Sequence, residues 1–258
     1  ELVSIEGSVE IRRDGERQAA ALRDPLCQDD TIEVGSHSRA AVALVNDAIL
    51  RLDQNSTLRL INIRPEPEET SVFGFIKGMF ASFSRQPRTL TAETPYLNAT
   101  IEGTEFAVRV EADRAVVTVF EGQVAASNDF GRLSLAAGES AEAEAGQAPE
   151  PRVVVRPRDA VQWALHYPPV LAALGGQAAR VPADAPPGLR EAIRLSGEGD
   201  YPGAFAHLEE VPTAGQGPTF HIYRAGLLLN VGRVAEARAD IDRALTMDPD
   251  AGIALALR

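Results

Sequence analysis

Cysteine is almost missing from this chain. Cys27 is the only one in 258 residues, so no disulfide can form within it. Lysine is as scarce: Lys77 stands alone and the other positive charges are arginines. Aromatic residues make up 5% of the chain, with a single tryptophan, Trp163. No apolar run approaches the roughly 20 residues that span a bilayer as a helix. The most apolar window, Phe73 to Phe83, is short and interrupted by Lys77. Positive charge is outweighed to a net −12, and an acidic surface repels phosphate backbones, which argues against nucleic-acid binding. The opening Glu1-Leu2-Val3 carries no signal-peptide pattern, and Ala256-Leu257-Arg258 falls inside a helical pattern. Both ends therefore read as trimmed from a longer protein, with any targeting signal outside this stretch. Against these deficits, 45% hydrophobic and 24% charged residues are ordinary for a globular protein, and the length suits two modest domains or one domain and part of a repeat array.

Residues 1–157 have the period of β-strands. Val3, Ile5, Val9 and Ile11 alternate with polar residues, as do Ala41, Ala43 and Val45, then Leu50, Leu52, Leu58 and Leu60. Phe106, Val108, Val110, Val117, Val119, Val124, Leu133 and Leu135 continue the series. Alternation at period 2 sends one face to a core and the other to water. The breaks carry turn chemistry: Arg13-Asp14-Gly15, Val45-Asn46-Asp47, Asp53-Gln54-Asn55, Glu121-Gly122 and Ala137-Gly138. Many short strands predict an all-β sandwich, barrel or solenoid. A loose internal echo, Ser8-Val9-Glu10-Ile11 against Gln123-Val124-Ala125, suggests two similar β modules packed together.

The composition changes near residue 145. Three prolines (Pro149, Pro151, Pro157) and Val153-Val154-Val155 read as an extended linker with an edge strand. A helix should follow, with Asp159 as its N-cap and Val161, Ala164 and Leu165 on one face, ended by Pro168-Pro169. A stretch from Gly175 to Gly188, rich in Gly, Ala and Pro, completes a linker over 158–188. From Leu189 the period is 3.6 and an internal repeat is visible. Gly199-Asp200-Tyr201 precedes Ala204 and Leu208 as Gly232-Arg233-Val234 precedes Ala237 and Ile241, and Pro212 and Pro249 follow the two units. The matched offsets, the turn glycines and the closing prolines make 189–258 similar to tetratricopeptide repeats, incomplete at the C-terminus and without the usual tryptophan–leucine–glycine opening.

The β half resembles the FecR family through several segments in order. They run from Ser8-Val9-Glu10-Ile11 and Leu22 through Asp30-Thr31-Ile32-Glu33-Val34-Gly35 to Arg39-Ala40-Ala41-Val42-Ala43-Leu44 and Leu50-Arg51-Leu52-Asp53-Gln54-Asn55-Ser56. The most specific is Thr94-Pro95-Tyr96-Leu97-Asn98-Ala99-Thr100-Ile101-Glu102-Gly103-Thr104-Glu105-Phe106, followed by Val119-Phe120-Glu121-Gly122-Gln123-Val124 and Leu135-Ala136-Ala137-Gly138-Glu139, so that the resemblance covers roughly the first 140 residues. The resemblance implies a periplasmic or cell-envelope protein. In the best-known members the domain relays a signal from an outer-membrane transporter to a sigma factor across one membrane helix. This chain shows no such helix and carries helical repeats after the β domain, so what the resemblance implies here is a β module used for protein contacts, not that regulator role.

Motifs for chemistry are sparse. Cys27 has only His37 nearby in sequence as a partner for a nucleophile, and reads as an idle thiol. Glu102 and Glu105 lie three apart, which on a strand sends them to opposite faces; Glu102-Gly103-Thr104 reads instead as a tight bend. His37, His166, His207 and His221 show no metal-ligand spacing, and Gln28-Asp29-Asp30 lacks the alternating oxygens of a calcium loop. No nucleotide or nucleophile-elbow fingerprint is present. No cofactor or metal is expected, and the chain reads as a non-enzyme.

Two segments remain. Trp163 and Tyr167 form an amphipathic patch whose first reading is an anchor for the helix and whose second is a binding hot spot. The four phenylalanines of Phe73–Phe83 read first as core, second as an exposed patch for a partner. The expectation is a non-enzymatic envelope scaffold for protein partners, among them envelope or outer-membrane proteins. Arg190, Arg194, His221, Arg224 and Asn230 of the first repeat helices would line the groove, with Trp163 and Tyr167 as further contacts. The alternatives are a β domain that senses a glycan or small molecule, and an enzyme of a class the motifs do not reveal.

Overall fold

The computed structural model describes residues 1–45, 48–64, 70–154, 157–164 and 185–258, with backbone alone at 84–88, 102–104 and 157–160. The chain divides into two compact units, Glu1–Ala164 and Leu165–Arg258.

The first unit is a single antiparallel network of thirteen strands among the described residues. Seven short strands come first: β1 (Leu2–Glu6), β2 (Val9–Arg13), β3 (Glu16–Ala19), β4 (Thr31–Val34), β5 (Arg39–Ala43), β6 (Ile49–Leu52) and β7 (Thr57–Asn62). Three long ones follow: β8 (Ser71–Glu93), β9 (Asn98–Val110) and β10 (Arg114–Asn128). The series closes with β11 (Gly131–Ala136), β12 (Ser140–Glu144) and β13 (Glu150–Arg152). The long strands correct the expectation of short strands only. Their length is possible because bulges bend them without breaking the ladder.

Gly78 shows how. Its φ is +96°, and a Cβ there would sit 2.6 Å from Cα of Ser56, so both conformation and space require glycine. The Ser56 hydroxyl accepts from the Met79 N–H and donates to the Met79 carbonyl, each at 3.1 Å, which closes the ladder around the bulge. Before Gly78, β8 pairs with β7 (Leu58 opposite Phe75); after it, β8 pairs with β6 (Leu52 opposite Phe80). The side-chain phase flips at the same point. Phe73 and Phe75 are buried, Ile76 and Lys77 are exposed, and Phe80 returns to the core. A strict period of 2 would have buried Lys77 and expelled Phe80. The phenylalanine segment is therefore core at Phe73, Phe75 and Phe80, with Phe83 half-buried.

Glu121-Gly122 behaves alike. It is not a turn between strands but a register shift inside β10, with Gly122 at φ +92°, and the core phase passes from Val117 and Val119 to Val124 and Ala126. The facing stretch Glu102-Gly103-Thr104 is strand backbone within β9, not a bend, because the irregular register opposite it is absorbed between Phe83 and Arg88 of β8. Its side chains, and with them the Glu102–Glu105 question, lie outside the described residues. By contrast Asp14 (φ 52°) and Gly15 (φ 86°) make the anticipated two-residue hairpin between β2 and β3. Asn46-Asp47 lies outside the description. One continuous core runs from Leu2 and Ile11 through Phe80 and Phe106 to Ala143, so any two β modules share it.

Asp30 is nearly fully buried beside this core. It accepts from Arg13 Nε at 2.8 Å and Nη2 at 2.6 Å, and from the Cys27 N–H at 2.7 Å. The Arg13 hydrogen bond leads the causes that hold its pKa below the usual carboxylate value. A depressed folded-state pKa stabilises the fold above the unfolded value and loses that stabilisation as pH falls through the folded one. Urea midpoints measured from pH 7 down to pH 2 should therefore drop below about pH 4. The drop should be shallower in Asp30→Asn, which starts lower at pH 7; parallel curves would remove Asp30 from the cause.

Around residue 145 the expected edge strand is present as β13, paired to β12. Pro157–Ala164 is a 3-10 helix, not an α-helix, and it packs on the β unit although the sequence placed it in a linker. The Asp159 cap and everything from Leu165 to Asp184, including Pro168-Pro169 and His166, lie outside the described side chains or residues.

The second unit holds α1 (Pro187–Gly197), α2 (Tyr201–Glu209), α3 (Pro218–Asn230), α4 (Val234–Met247) and α5 (Gly252–Leu257). They form two hairpins, α1 on α2 and α3 on α4. Both hairpins turn the same way. The Asp200 N–H reaches the Leu195 carbonyl and the Arg233 N–H reaches the Leu228 carbonyl, with Gly199 (φ 84°) and Gly232 (φ 77°) in the left-handed position between them. This six-to-one closure is why glycine recurs at that offset. Ala204 and Ala237, both fully buried, occupy matching places on the second helix of each hairpin.

Candidate functional site

On the face of the sheet opposite the main core, cross-strand pairing sets Ala41, Arg51, Ala81, Ala107 and Thr118 in one row over β5, β6, β8, β9 and β10. The three alanines leave a shallow trough between longer neighbours. The 3-10 segment lies in it. Val161, Trp163 and Ala164 are buried together with Met79, Ala81 and Ala107, and Phe83 and Phe120 pack at the side. Trp163 Nε1 donates to Met79 Sδ at 3.2 Å. The anchor role of Trp163 is thus the one its burial supports, and the bulge at Gly78 is what turns Met79 toward it. Tyr167 lies outside the described residues.

Two arginines close the end of the segment. Arg39, 7% exposed, donates to the Trp163 carbonyl at 2.6 Å and is ion-paired with Glu6. Arg51 donates to the Ala164 carbonyl and lies over the Phe83 ring, 5.2 Å from its centroid. Burial, then the neighbouring Arg39 charge, hold the Arg51 pKa below the ordinary arginine value. Beside the trough a groove of about 290 Å³ continues past Met79 and Ala107 to Arg109, Glu111, Val116 and Arg152. Its lining includes no aromatic ring.

The helical candidates separate into two groups. Arg190 and Arg194 on α1 are exposed. Arg190 donates to the Ala185 carbonyl, and Arg194 is paired with Glu191 and Glu198, which raise its pKa above the usual value. His221 and Arg224 do not line an open groove as expected. His221 is 4% exposed, with Nδ1 at 2.9 Å from Asp240 Oδ1, and Arg224 forks onto both Asp240 oxygens at 2.5 and 2.7 Å. The reason is that α3 is buried on most of its circumference, so its polar residues face α4. Asn230 is half-buried at the end of α3. Asp240, the hub of this cluster, was missed on sequence; an aspartate amid the apolar positions of α4 is the one signal that marked it. His207 is partly exposed and contacts Glu210, and Cys27 is exposed ahead of β4.

Among the described residues, no three or more His, Cys, Asp or Glu gather as a metal site, and no helix is long and apolar enough to cross a membrane. What the molecule offers is surface: a sheet face carrying an inlaid chain segment, and a unit of stacked helical hairpins. Residues 30–125, all within the β unit, match the family model described as FecR protein. Two solved structures from Parabacteroides distasonis ATCC 8503, at 1.65 and 2.50 Å and described as an anti-sigma factor, are each similar at 14% identity and a TM-score of 0.45. The matches cover 56% of this chain and 72% and 70% of theirs. No curated protein matches the chain.

Proposed function

We propose that the chain is a non-enzymatic scaffold of the bacterial cell envelope, in which a FecR-like β module is joined to tetratricopeptide-type repeats and both serve protein contacts in signalling or assembly. The observation that carries this is the union of the family match over the β unit with two hairpins that repeat one turn geometry. Stacked hairpins of this kind present an extended face to a peptide or protein partner. On that face Arg190 and Arg194 are the exposed candidates; the proposed divisions are a FecR-like module over 1–157, a linker over 158–188 whose first residues pack on that module, and a repeat segment over 189–258.

The test is affinity capture from an envelope extract with the full chain against a double variant, Arg190→Glu and Arg194→Glu. A specific protein retained by the first and lost by at least about tenfold from the second supports the reading, a factor equal to about 1.4 kcal/mol. Equal retention removes these arginines, and retention by neither removes the scaffold. The groove beside Trp163 favours a second reading, in which the β module itself holds a ligand.

A further inference from the structure

The segment in the trough is held in an unusual way. An eight-residue 3-10 run is long for that geometry, which seldom exceeds three or four residues, so its surroundings hold it and not its own propensity. Its last two described carbonyls, of Trp163 and Ala164, are each taken by an arginine. A neutral carbonyl is a modest partner for a half-buried guanidinium. Among the described residues Glu6 is the carboxylate that acts on Arg51, and it is already paired with Arg39. A carboxylate at the place of the Ala164 carbonyl would give Arg51 a charge-assisted, forked bond. The ring slot one residue before it, floored by Met79, Ala81 and Ala107, is shaped by and filled with an indole.

We propose that this trough is a binding site for the C-terminal end of a partner polypeptide with an aromatic penultimate residue, and that Val161–Ala164 occupies it as a built-in stand-in. The aromatic side chain would replace Trp163, Arg39 would hold the penultimate carbonyl, and Arg51 would hold the terminal carboxylate. This rests on the reading of the chain as a protein-contact module, and it names the chemistry of one partner. The resident segment is covalently attached, so it competes at a high effective concentration, and a free chain end must offset that with its charge.

The test uses the full chain with Trp163→Ala, which contains no tryptophan. The probe is acetyl-Val-Gln-Trp-Ala with a free carboxylate, followed by its own emission. Expected is a saturable blue shift, at least tenfold weaker for the same peptide with an amide end, and lost when Arg51→Met is added. A second measurement covers a variant that fails to fold. The unaltered chain titrated with acetyl-Val-Gln-Phe-Ala acid should show its Trp163 emission move to the red as the segment is displaced. Equal binding of acid and amide, indifference to Arg51→Met, or no response in either format overturns the site. Such a failure, with a partner still captured through Arg190 and Arg194, would leave the scaffold reading standing.

Discussion

Phe80→Ala should destabilise the β unit by about 3–5 kcal/mol, read as the shift of the urea transition followed by Trp163 emission. The ring is fully buried, and it is the meeting point of three edge-to-face contacts, with Phe73 at 5.2 Å, Phe75 at 4.7 Å and Phe106 at 5.6 Å. Truncation loses the transfer energy of the ring and leaves a cavity that three rigid aromatics cannot collapse into. The site also joins β6, β8 and β9, so the vacancy falls where backbone movement is most constrained. Phe83→Ala, half-buried on the opposite face, serves as the comparison and should cost clearly less. A loss below about 1 kcal/mol for Phe80→Ala would mean that the phase flip at Gly78 is not as described, since a surface aromatic carries that little.

Asp240→Ala should cost the helical unit about 3 kcal/mol, measured by urea titration of the ellipticity at 222 nm. The carboxylate is fully buried and serves Arg224, His221 and, at 3.7 Å, Arg243. Removing it leaves His221 enclosed without that partner, while Arg224, 29% exposed, can turn toward water. That escape places the cost at the lower end of the range for a broken buried pair. The triple change His221→Phe, Arg224→Met and Asp240→Leu should recover most of the loss, because a well-packed apolar set replaces a buried ionic one at little net cost. If the triple variant is as weak as the single one, the cluster's worth lies in packing and not in charge.

Much of this architecture was legible in the residues. The division between period 2 and period 3.6, the hairpin at Asp14-Gly15, the glycine turns at Gly199 and Gly232 and the edge strand near Pro151 all depend on neighbours a few positions away. The strand lengths were not legible. Gly78 and Gly122 have the positive φ that marks turns elsewhere in the chain, and only the ladder on either side shows that they are bulges inside one strand.

The candidate sites divide in the same way. Exposure of Arg190 and Arg194 follows from their places on an amphipathic helix. The burial of His221 and the hub at Asp240 depend on α3 being enclosed by its neighbours, which no local pattern encodes. Likewise the trough unites Arg39, Arg51, Met79 and Trp163, residues up to 124 positions apart, through strand register. Backbone conformation and period are short-range properties, set by sterics and by which side chains avoid water, so the chain alone determined them. Which face a residue reaches after a bulge, and what stands opposite it, is decided by long-range pairing, and that only the folded molecule supplies.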